Sequence, residues 1–382
     1  MGYTFCLLQR QRVCLKNEIM KSCTSRECIV VCDIGATKTL AALYELQEDG
    51  LLALCAKQSY LTYNIADPYE QILQFVKQYK EPNARLYGVG VGYPGPVDEE
   101  ELVQNANVPW SINRRMMTDR LSPRSYLLND AAAFAMSLRF ALDCDFYLLS
   151  SPKAKKRTTG NRGVLTVGSA TGMSGTVTTD DGQEMFYSTE GGHGWFTPRN
   201  AVHIALWNHL RNEAPSEPVR WGRLLSGPGL VRIWNFFESN PKILTEFINQ
   251  HHDSLLQRER PSIITNNILT AENQNKPEVI SLYGLQGDLV CAATLALFAE
   301  LIGMKLGELA LSTWCTGGLY LAGGIPLKIR DMLDPFLMKA FLDTSTYYRS
   351  ALINMPVQLV VNDEIVLRDL ANYVLQHTRT SN

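Results

Sequence analysis

The sequence has no excess of charge of either sign and little that indicates a membrane. Its 382 residues carry 36 basic and 38 acidic side chains, a formal net charge of -2. A nucleic-acid surface needs clustered cations, so this balance argues against such a partner. By inspection, no stretch approaches the roughly 20 apolar residues of a membrane helix. The first 28 residues also lack the apolar core of a signal peptide. We therefore predict a cytoplasmic protein with neither nucleic-acid nor membrane partners.

Metal-type and P-loop motifs are missing as well. Nine cysteines are present, and although Cys28 and Cys32 are close together, no second pair completes a zinc site. We expect free thiols, as in a reducing compartment. The pattern Gly-x4-Gly-Lys-Ser/Thr is absent, which excludes the P-loop enzymes.

The length of the chain fits two domains better than one compact core. Short apolar runs alternate with segments of helical periodicity, a pattern that predicts an α/β protein. We expect strands at 28–33, 39–46, 51–56, 86–92, 125–128, 319–322 and 357–361, a strand-turn-strand at 163–179, and helices at 68–79, 131–142, 198–212, 278–314 and 364–377.

Residues 33–38 follow the first predicted strand and combine groups that suit a nucleotide phosphate. Asp33 at the strand end can hold Mg²⁺ through water, and Gly35 lets the backbone approach a phosphate. Thr37 and Lys38 add a hydroxyl and a cation. An ordinary hairpin turn has the same pattern, so this segment by itself leaves both interpretations open.

Asp130 comes directly after the strand at 125–128 and begins an alanine-rich helical segment. A carboxylate in this position lies at the sheet edge where α/β proteins bind ligands. It can accept the proton of a hydroxyl that attacks phosphorus. The alternative interpretation is a plain N-cap aspartate.

Two kinds of glycine-containing turn are further candidate binding sites for a nucleotide or a sugar. The turn 168–172 and the glycine pairs 317–318 and 323–324 can present amides to phosphate or make room for a nucleoside, although close packing explains them equally well. Glu190 and His193 flank two glycines, and such a turn can direct both side chains at adjacent sugar hydroxyls. No third or fourth ligand is spaced to make the latter pair a metal site.

Taken in order, these motifs resemble those of bacterial-type glucokinases from about residue 29 to about residue 370. The resemblance implies the two-domain actin-like ATPase (ribonuclease H-like) α/β fold with an interdomain cleft. It divides the chain into an N-terminal extension 1–28, a small domain 29–140 completed by 356–382, and a large domain 141–355. The motifs are Asp33-Ile-Gly-Ala-Thr37, Asn107-Val-Pro-Trp110-Ser-Ile112, Leu128-Asn-Asp-Ala131, Gly168-x-x-Thr-Gly172, Glu190-Gly-Gly-His193, Leu225-Ser-Gly-Pro-Gly-Leu230 and Gly317-Gly-Leu-Tyr-Leu-Ala-Gly-Gly-Ile325.

The resemblance also implies a reaction, in which ATP and D-glucose give ADP and glucose 6-phosphate at the entry to glycolysis, with Mg²⁺ and a homodimeric enzyme. Asp130 is implied as the catalytic base and Asp33 as the Mg²⁺ ligand. The implied sugar-binding residues are Asn107, Asn129, Asp130, Glu190 and His193. The implied nucleotide-binding residues are Asp33, Ile34, Gly35, Ala36, Thr37, Lys38, Thr171, Gly172, Gly317 and Gly318.

Several positions depart from the family pattern. Ala36, Ala170 and Ser174 stand where the family has glycines, and Gly222 stands where it has a sugar-binding glutamate. A hydrogen bond from a carboxylate to a hydroxyl contributes about 1.5–3 kcal/mol, so its loss weakens sugar binding roughly ten- to a hundredfold. The alternative function is therefore a catalytically weak sugar- or nucleotide-binding sensor.

Overall fold

The structure is a computed structural model that describes residues 27–95, 97, 108–150, 159–251, 255, 268, 270–272, 275–334, 336–362 and 364–380. The predicted extension 1–28 lies outside the described residues up to position 26, as does Asn107. The chain forms two compact units. Unit 1 contains Met1–Asp145 and Asn362–Asn382, and unit 2 contains Phe146–Val361.

Unit 1 contains a five-stranded sheet in the order β3-β2-β1-β4-β5. The first three strands form antiparallel hairpins, whereas β4 and β5 run parallel to β1. Parallel strands bring their carboxyl ends to one edge of the sheet, which is where a ligand site is expected. The strands are β1 (Glu27–Ile34), β2 (Lys38–Leu46), β3 (Leu52–Leu61), β4 (Arg85–Tyr93) and β5 (Ser125–Asn129).

The helices of unit 1 are α1 (Pro68–Tyr79), α2 (Arg114–Arg120), α3 (Asp130–Ser137) and α14 (Ile365–Thr380). Asp67 caps α1 by accepting hydrogen bonds from two backbone amides of its first turn. Helix α14 packs closely on the glycines of β4, because a Cβ on Gly90 would lie 2.9 Å from Leu370 Cγ. The glycine-rich sequence of β4 therefore serves helix packing.

Unit 2 contains a six-stranded sheet in the order β6-β11-β10-β7-β8-β9. Its strands are β6 (Phe146–Leu148), β7 (Arg162–Val167), β8 (Thr171–Thr178), β9 (Glu184–Thr189), β10 (Gly318–Ala322) and β11 (Val357–Val360). Its helices are α4 (Ala201–Glu213), α5 (Trp221–Leu224), α6 (Gly227–Ser239), α7 (Pro241–Gln250), α8 (Lys276–Leu285), α9 (Leu289–Ser312), α10 (Gly324–Lys328), α11 (Arg330–Leu333), α12 (Phe336–Leu342) and α13 (Arg349–Ile353).

Helix α9 corrects one expectation about apolar stretches. Its length and composition are sufficient to cross a membrane, but 89% of its most apolar 18-residue window is buried inside the protein. It packs against α7, α8, α6 and α12 in the core of unit 2. An apolar helix with neighbours all round it is typical of a large core.

The boundaries between the units differ from the predicted ones. Strand β11 pairs with β10 and β6 in unit 2, whereas the sequence assigned 356–382 as a whole to the small domain. Residues 141–145 belong to unit 1, where Asp145 accepts hydrogen bonds from Asn362 at 2.7 Å and Arg368 at 2.9 Å. Cys144 is disulfide-bonded, contrary to the expectation of free thiols, while the other described cysteines are free.

The two sheets repeat one plan. Unit 1 has the order 3-2-1-4-5, and unit 2 has the same order in β9-β8-β7-β10-β11, with β6 added at the edge. In both, an antiparallel three-stranded meander is followed by two strands parallel to its first strand. This repeated arrangement is the one expected for the actin-like ATPase fold.

Candidate active site

Asp33 and Asp130 lie together at the carboxyl edge of the sheet in unit 1. Asp33 is in register with Gly92 of the neighbouring strand β4, and Asp130 follows the end of β5 on the other side. A Cβ on Gly92 would lie 3.4 Å from Asp33 Oδ1 and 3.8 Å from Asp130 Cα. Two carboxylates that are nearly a hundred positions apart in the sequence therefore flank one glycine.

Burial and the nearby charge of Asp130 raise the pKa of the Asp33 carboxyl to about 7. Both causes oppose a second negative charge at this edge of the sheet. A cation bound beside the pair would favour the ionised form of both groups. The electrostatics of the pair therefore fit a positively charged ligand.

Asn129 caps helix α3, and this corrects the N-cap interpretation of Asp130. The Asn129 side chain accepts a hydrogen bond from Ala132 N at 3.0 Å and donates one to Gly95 O at 2.7 Å. Asp130 is the first helical residue, and its Oδ1 accepts from Ala131 N at 2.7 Å. Because the cap is supplied by the preceding residue, Asp130 is not needed to begin the helix.

The turn between β1 and β2 is held from behind by Thr62. The Thr62 hydroxyl donates to Gly35 O at 2.7 Å, and its backbone N donates to Thr37 O at 3.0 Å. Thr62 is fully buried, so these bonds are protected from water. No sequence signal links a threonine in the 3₁₀ turn after β3 to this loop, and sequence reasoning missed it.

The alanine at position 36 causes no backbone strain. Among the described non-glycine residues, Trp314 alone has a positive φ, so Ala36 and Ala170 adopt conformations open to any residue. Thr37 and Lys38 are exposed at the same turn.

In unit 2, the turn 168–172 and the turn 190–193 lie against each other. A Cβ on Gly192 would lie 2.3 Å from Thr171 O, a separation that only glycine permits at this position. Gly172 N donates to Thr166 Oγ1 at 3.1 Å, which holds the first turn on the end of β7. Unit 2 therefore brings the predicted sugar turn to the predicted phosphate turn.

Glu190 and His193 project from the second turn into solvent. Their side chains are 66% and 68% exposed, and Glu190 Oε2 lies 3.8 Å from His193 Nε2. Within the described parts of the chain, no group of three or more His, Cys, Asp or Glu side chains is arranged to hold a metal ion. The pair is thus open to a polar ligand.

The structure separates Gly317 and Gly318 from Thr171 and Gly172. Strands β10 and β7 are parallel, with Gly318 opposite Arg162 and Ala322 opposite Thr166. Gly317 and Gly318 lie where β7 begins, whereas Gly172 lies opposite Thr166, roughly 13 Å further along the strand. Gly317 and Gly318 therefore lie apart from Thr171 and Gly172, and a single phosphate group cannot contact both pairs.

The second glycine pair lies beside the turn instead. Gly323 has a φ of +113°, and a Cβ on it would lie 2.0 Å from Val167 O. Gly324 follows it and begins α10, with no atom within 4 Å of a Cβ added there. The 13-residue helix α6 also begins beside the turn 168–172. Its first residue, Gly227, donates a hydrogen bond from its backbone N to Gly168 O at 2.9 Å. Backbone amides at a helix N-terminus suit an anionic group.

Comparison with known proteins identifies the family. The family model described as "Glucokinase" matches residues 30–377 of the chain. The chain belongs to the glucokinase family. It is an ATP-dependent hexose kinase. The glucokinase of Nostoc punctiforme is 25% identical over 341 residues, which cover 88% of this chain and 95% of that protein. The glucokinase of Nitrobacter hamburgensis is 26% identical over 349 residues, with 91% and 97% covered.

Solved structures of glucokinases show the same fold. A glucokinase from an Antarctic psychrotroph has a TM-score of 0.65 at 21% identity and covers 91% of this chain and 99% of its own. The glucokinase of Balamuthia mandrillaris in complex with glucose has a TM-score of 0.69 at 15% identity, with 98% of each chain covered. A ROK family glucokinase from Streptomyces griseus in complex with glucose and AMPPNP has a TM-score of 0.58 at 18% identity, with 91% and 99% covered. The predicted actin-like ATPase fold is confirmed.

Gly222, the departure from the glucokinase pattern, faces the turn 190–193. A Cβ at this position would lie 3.2 Å from Gly192 O. The acid nearby in the sequence, Glu217, has its Oε2 3.8 Å from Arg223 Nε. The site in this family member therefore lacks an acidic side chain at position 222.

Proposed function

We propose that this hexose kinase is a glucokinase, which transfers the γ-phosphate of ATP to the 6-hydroxyl of D-glucose as the entry step of glycolysis in the cytoplasm. The observation that carries the proposal is the joint placement of Asp33 and Asp130 beside Gly92 at the carboxyl edge of three parallel strands. Phosphoryl transfer needs little from a protein beyond positioning, charge stabilisation and a base. A carboxylate pair at this edge suits charge stabilisation and general-base catalysis.

Asp130 is the proposed base. Its carboxylate accepts the proton of the attacking hydroxyl, a contribution of about 10²–10⁴ in rate for a positioned general base. Because Asn129 caps helix α3, a role of Asp130 as the base does not conflict with the start of the helix.

Asp33 is the proposed residue for Mg²⁺. Mg²⁺ binds through one or two carboxylates together with water and substrate phosphates, and the raised pKa of Asp33 fits a place where a cation relieves the repulsion between two acids. When bound, the ion supplies charge neutralisation on the phosphates. The hydrogen bonds from Thr62 to Gly35 and Thr37 hold the backbone of the loop 33–38 in place.

The remaining roles follow from the two turns of unit 2. In unit 2 we propose Glu190 and His193 as residues that bind hexose hydroxyls. In unit 1 we propose Asn129 and Asp130 for the same kind of group. For the nucleotide we propose Thr171, Gly172, Gly317 and Gly318, and we add Gly323 and Gly324, which lie beside the turn 168–172. Asn107 remains a proposed sugar ligand that lies outside the described residues. The N-terminus of α6 adds amides beside the same turn.

A coupled assay for glucose 6-phosphate with Mg²⁺ and ATP tests the function, with a panel of other hexoses for comparison. We expect turnover with glucose as the preferred substrate. Calorimetric binding of glucose without turnover would contradict the proposal and favour a sugar sensor, which the glycine at position 222 would explain. Turnover with another hexose and none with glucose would contradict glucose as the substrate.

We also propose that the enzyme acts as a homodimer, on the resemblance to bacterial-type glucokinases. Sedimentation velocity of the full chain tests this, and a single species of 42.8 kDa at the concentrations of the assay would contradict it.

A further inference from the structure

Arg220 is fixed opposite the hexose turn by a short antiparallel ladder. Two backbone hydrogen bonds of 2.9 Å, one on each side of it, join 219–221 to 194–196, and Arg220 forms an isolated bridge with Trp195. Its two neighbours in the chain are each only 1% exposed. Since side chains alternate across an extended segment, burial of these neighbours directs Arg220 to the solvent face.

On that face the Arg220 guanidinium contacts His193. Nη1 of Arg220 lies 3.2 Å from Nδ1 of His193. A guanidinium has only donor hydrogens and no acceptor, so Nδ1 must be the nitrogen that accepts. The neutral ring then carries its hydrogen on Nε2, because the partner of one ring nitrogen determines the state of the other.

The hydrogen on Nε2 has a consequence for the space between His193 and Glu190. Their facing atoms, Nε2 and Oε2, are 3.8 Å apart, which is too long for a direct hydrogen bond. A sugar hydroxyl between them accepts from Nε2–H and donates its own hydrogen to the carboxylate. The other tautomer would offer two acceptors, and one hydroxyl has a single hydrogen to give.

We propose that Arg220 is a positioning residue for the hexose: by donating to Nδ1, it holds His193 in the tautomer that lets one sugar hydroxyl bridge His193 and Glu190. The proposal rests on the proposed function, in which these two side chains bind the hexose. Arg220 also lies two residues from Gly222, where the family glutamate is missing. The site thus has a fixed cation on the segment that carries an acid in other family members.

Steady-state kinetics test the effect on the sugar. Arg220→Ala should raise KM for glucose roughly two- to tenfold, the effect of losing one ordinary hydrogen bond, with little change in kcat or in KM for ATP. Arg220→Lys keeps a donor and should recover part of the loss. Arg330→Ala is the matched control, because Arg330 is an exposed arginine of the same unit whose contacts lie with Asp331 and Tyr147. An unchanged KM for glucose in Arg220→Ala would contradict the proposal, as would an equal change in the control.

Nitrogen NMR of the histidine rings tests the tautomer directly. The chain has six histidines, and the His193→Gln variant identifies the signal of interest. At about pH 8, where an ordinary imidazole is neutral, we expect the wild-type ring to carry hydrogen on Nε2 alone and the Arg220→Ala ring to populate both tautomers. Hydrogen on Nδ1 in the wild type, or identical spectra for the two proteins, would overturn the inference. This measurement needs no hexose, so wild-type protein without turnover would refute the proposed function while the spectrum still decides the tautomer.

Discussion

The sheet edges of units 1 and 2 follow one strand order but carry different chemistry. In unit 1, Asp33 lies at the end of β1 and Asp130 directly follows β5, and the pKa of Asp33 is raised to about 7. In unit 2, the turn after β7 and the end of β10, the counterparts of the ends of β1 and β4, carry Thr171 and glycines, and the N-terminus of α6 lies beside them. Two copies of one scaffold thus supply an acidic edge and an amide-rich edge. This division suits a reaction that needs both a base and a phosphate cradle.

The two edges also differ in how tightly their glycines are packed. A Cβ on Gly92 of unit 1 would meet Asp33 at 3.4 Å, an ordinary contact, whereas in unit 2 a Cβ on Gly323 would overlap Val167 O at 2.0 Å. Position 92 of the acidic edge tolerates a methyl group in packing terms, and position 323 of the amide-rich edge does not. Substitutions at the two edges should separate these chemical and steric requirements.

The largest effect is expected at the acidic edge. Asp130→Asn keeps the size of the side chain but removes the base, so kcat should fall about 10²- to 10⁴-fold while glucose binding by calorimetry remains measurable. Asp119→Asn changes an exposed acid on α2 of the same unit and should leave kcat unchanged. A fall of less than tenfold in Asp130→Asn would remove Asp130 from its role.

At the amide-rich edge, Gly323→Ala should reduce the free energy of unfolding by about 2–4 kcal/mol, because it adds overlap and strains a positive φ. Gly324→Ala is the matched control: a Cβ there meets nothing within 4 Å, so its stability should change by less than about 0.5 kcal/mol. Urea unfolding of both variants measures the difference. Equal stabilities would show that the edge relaxes around the added methyl.

A carboxylate added to unit 2 would narrow the chemical difference between the edges. Gly222→Glu directs an acid at the turn 190–193 and should lower KM for glucose about tenfold. Gly222→Ala introduces the same Cβ, 3.2 Å from Gly192 O, without the acid, and should not lower KM. The same KM in both variants would show that position 222 is not a sugar-binding position in this chain.

The acidic edge is also expected to make the stability of the protein depend on pH. Because the pKa of Asp33 is raised in the folded state to about 7, the folded protein binds this proton more tightly than the unfolded chain. Its contribution to stability is therefore full below the ordinary pKa of aspartate, about 4, and is lost as the pH rises to about 7. Asp33→Asn should remove this loss, so the variant should gain stability relative to wild type as the pH rises from about 4 to about 7. Urea midpoints that keep a constant difference across this range would contradict the raised pKa.

Much of the secondary structure could be predicted from the sequence, because its signals are local. The helix at 68–79 has a proline at its first position, an aspartate cap and regular apolar spacing, and it is observed over those residues. The strands β1, β2 and β4 lie within one residue of their predicted ends. Strand β9, by contrast, alternates too weakly for its pattern to be recognised, and it was missed.

The sequence by itself determined the family motifs, their order and the presence of Asp130 at the end of a strand. Tertiary structure decided what those motifs touch: Asn129 caps α3, Thr62 supports the loop 33–38, and β11 joins the sheet of unit 2. It also decided that Gly323, rather than Gly318, lies beside the turn 168–172. The physical reason is that a glycine pair looks alike at either end of a strand, and only the direction and register of β10 against β7 show which end meets the site.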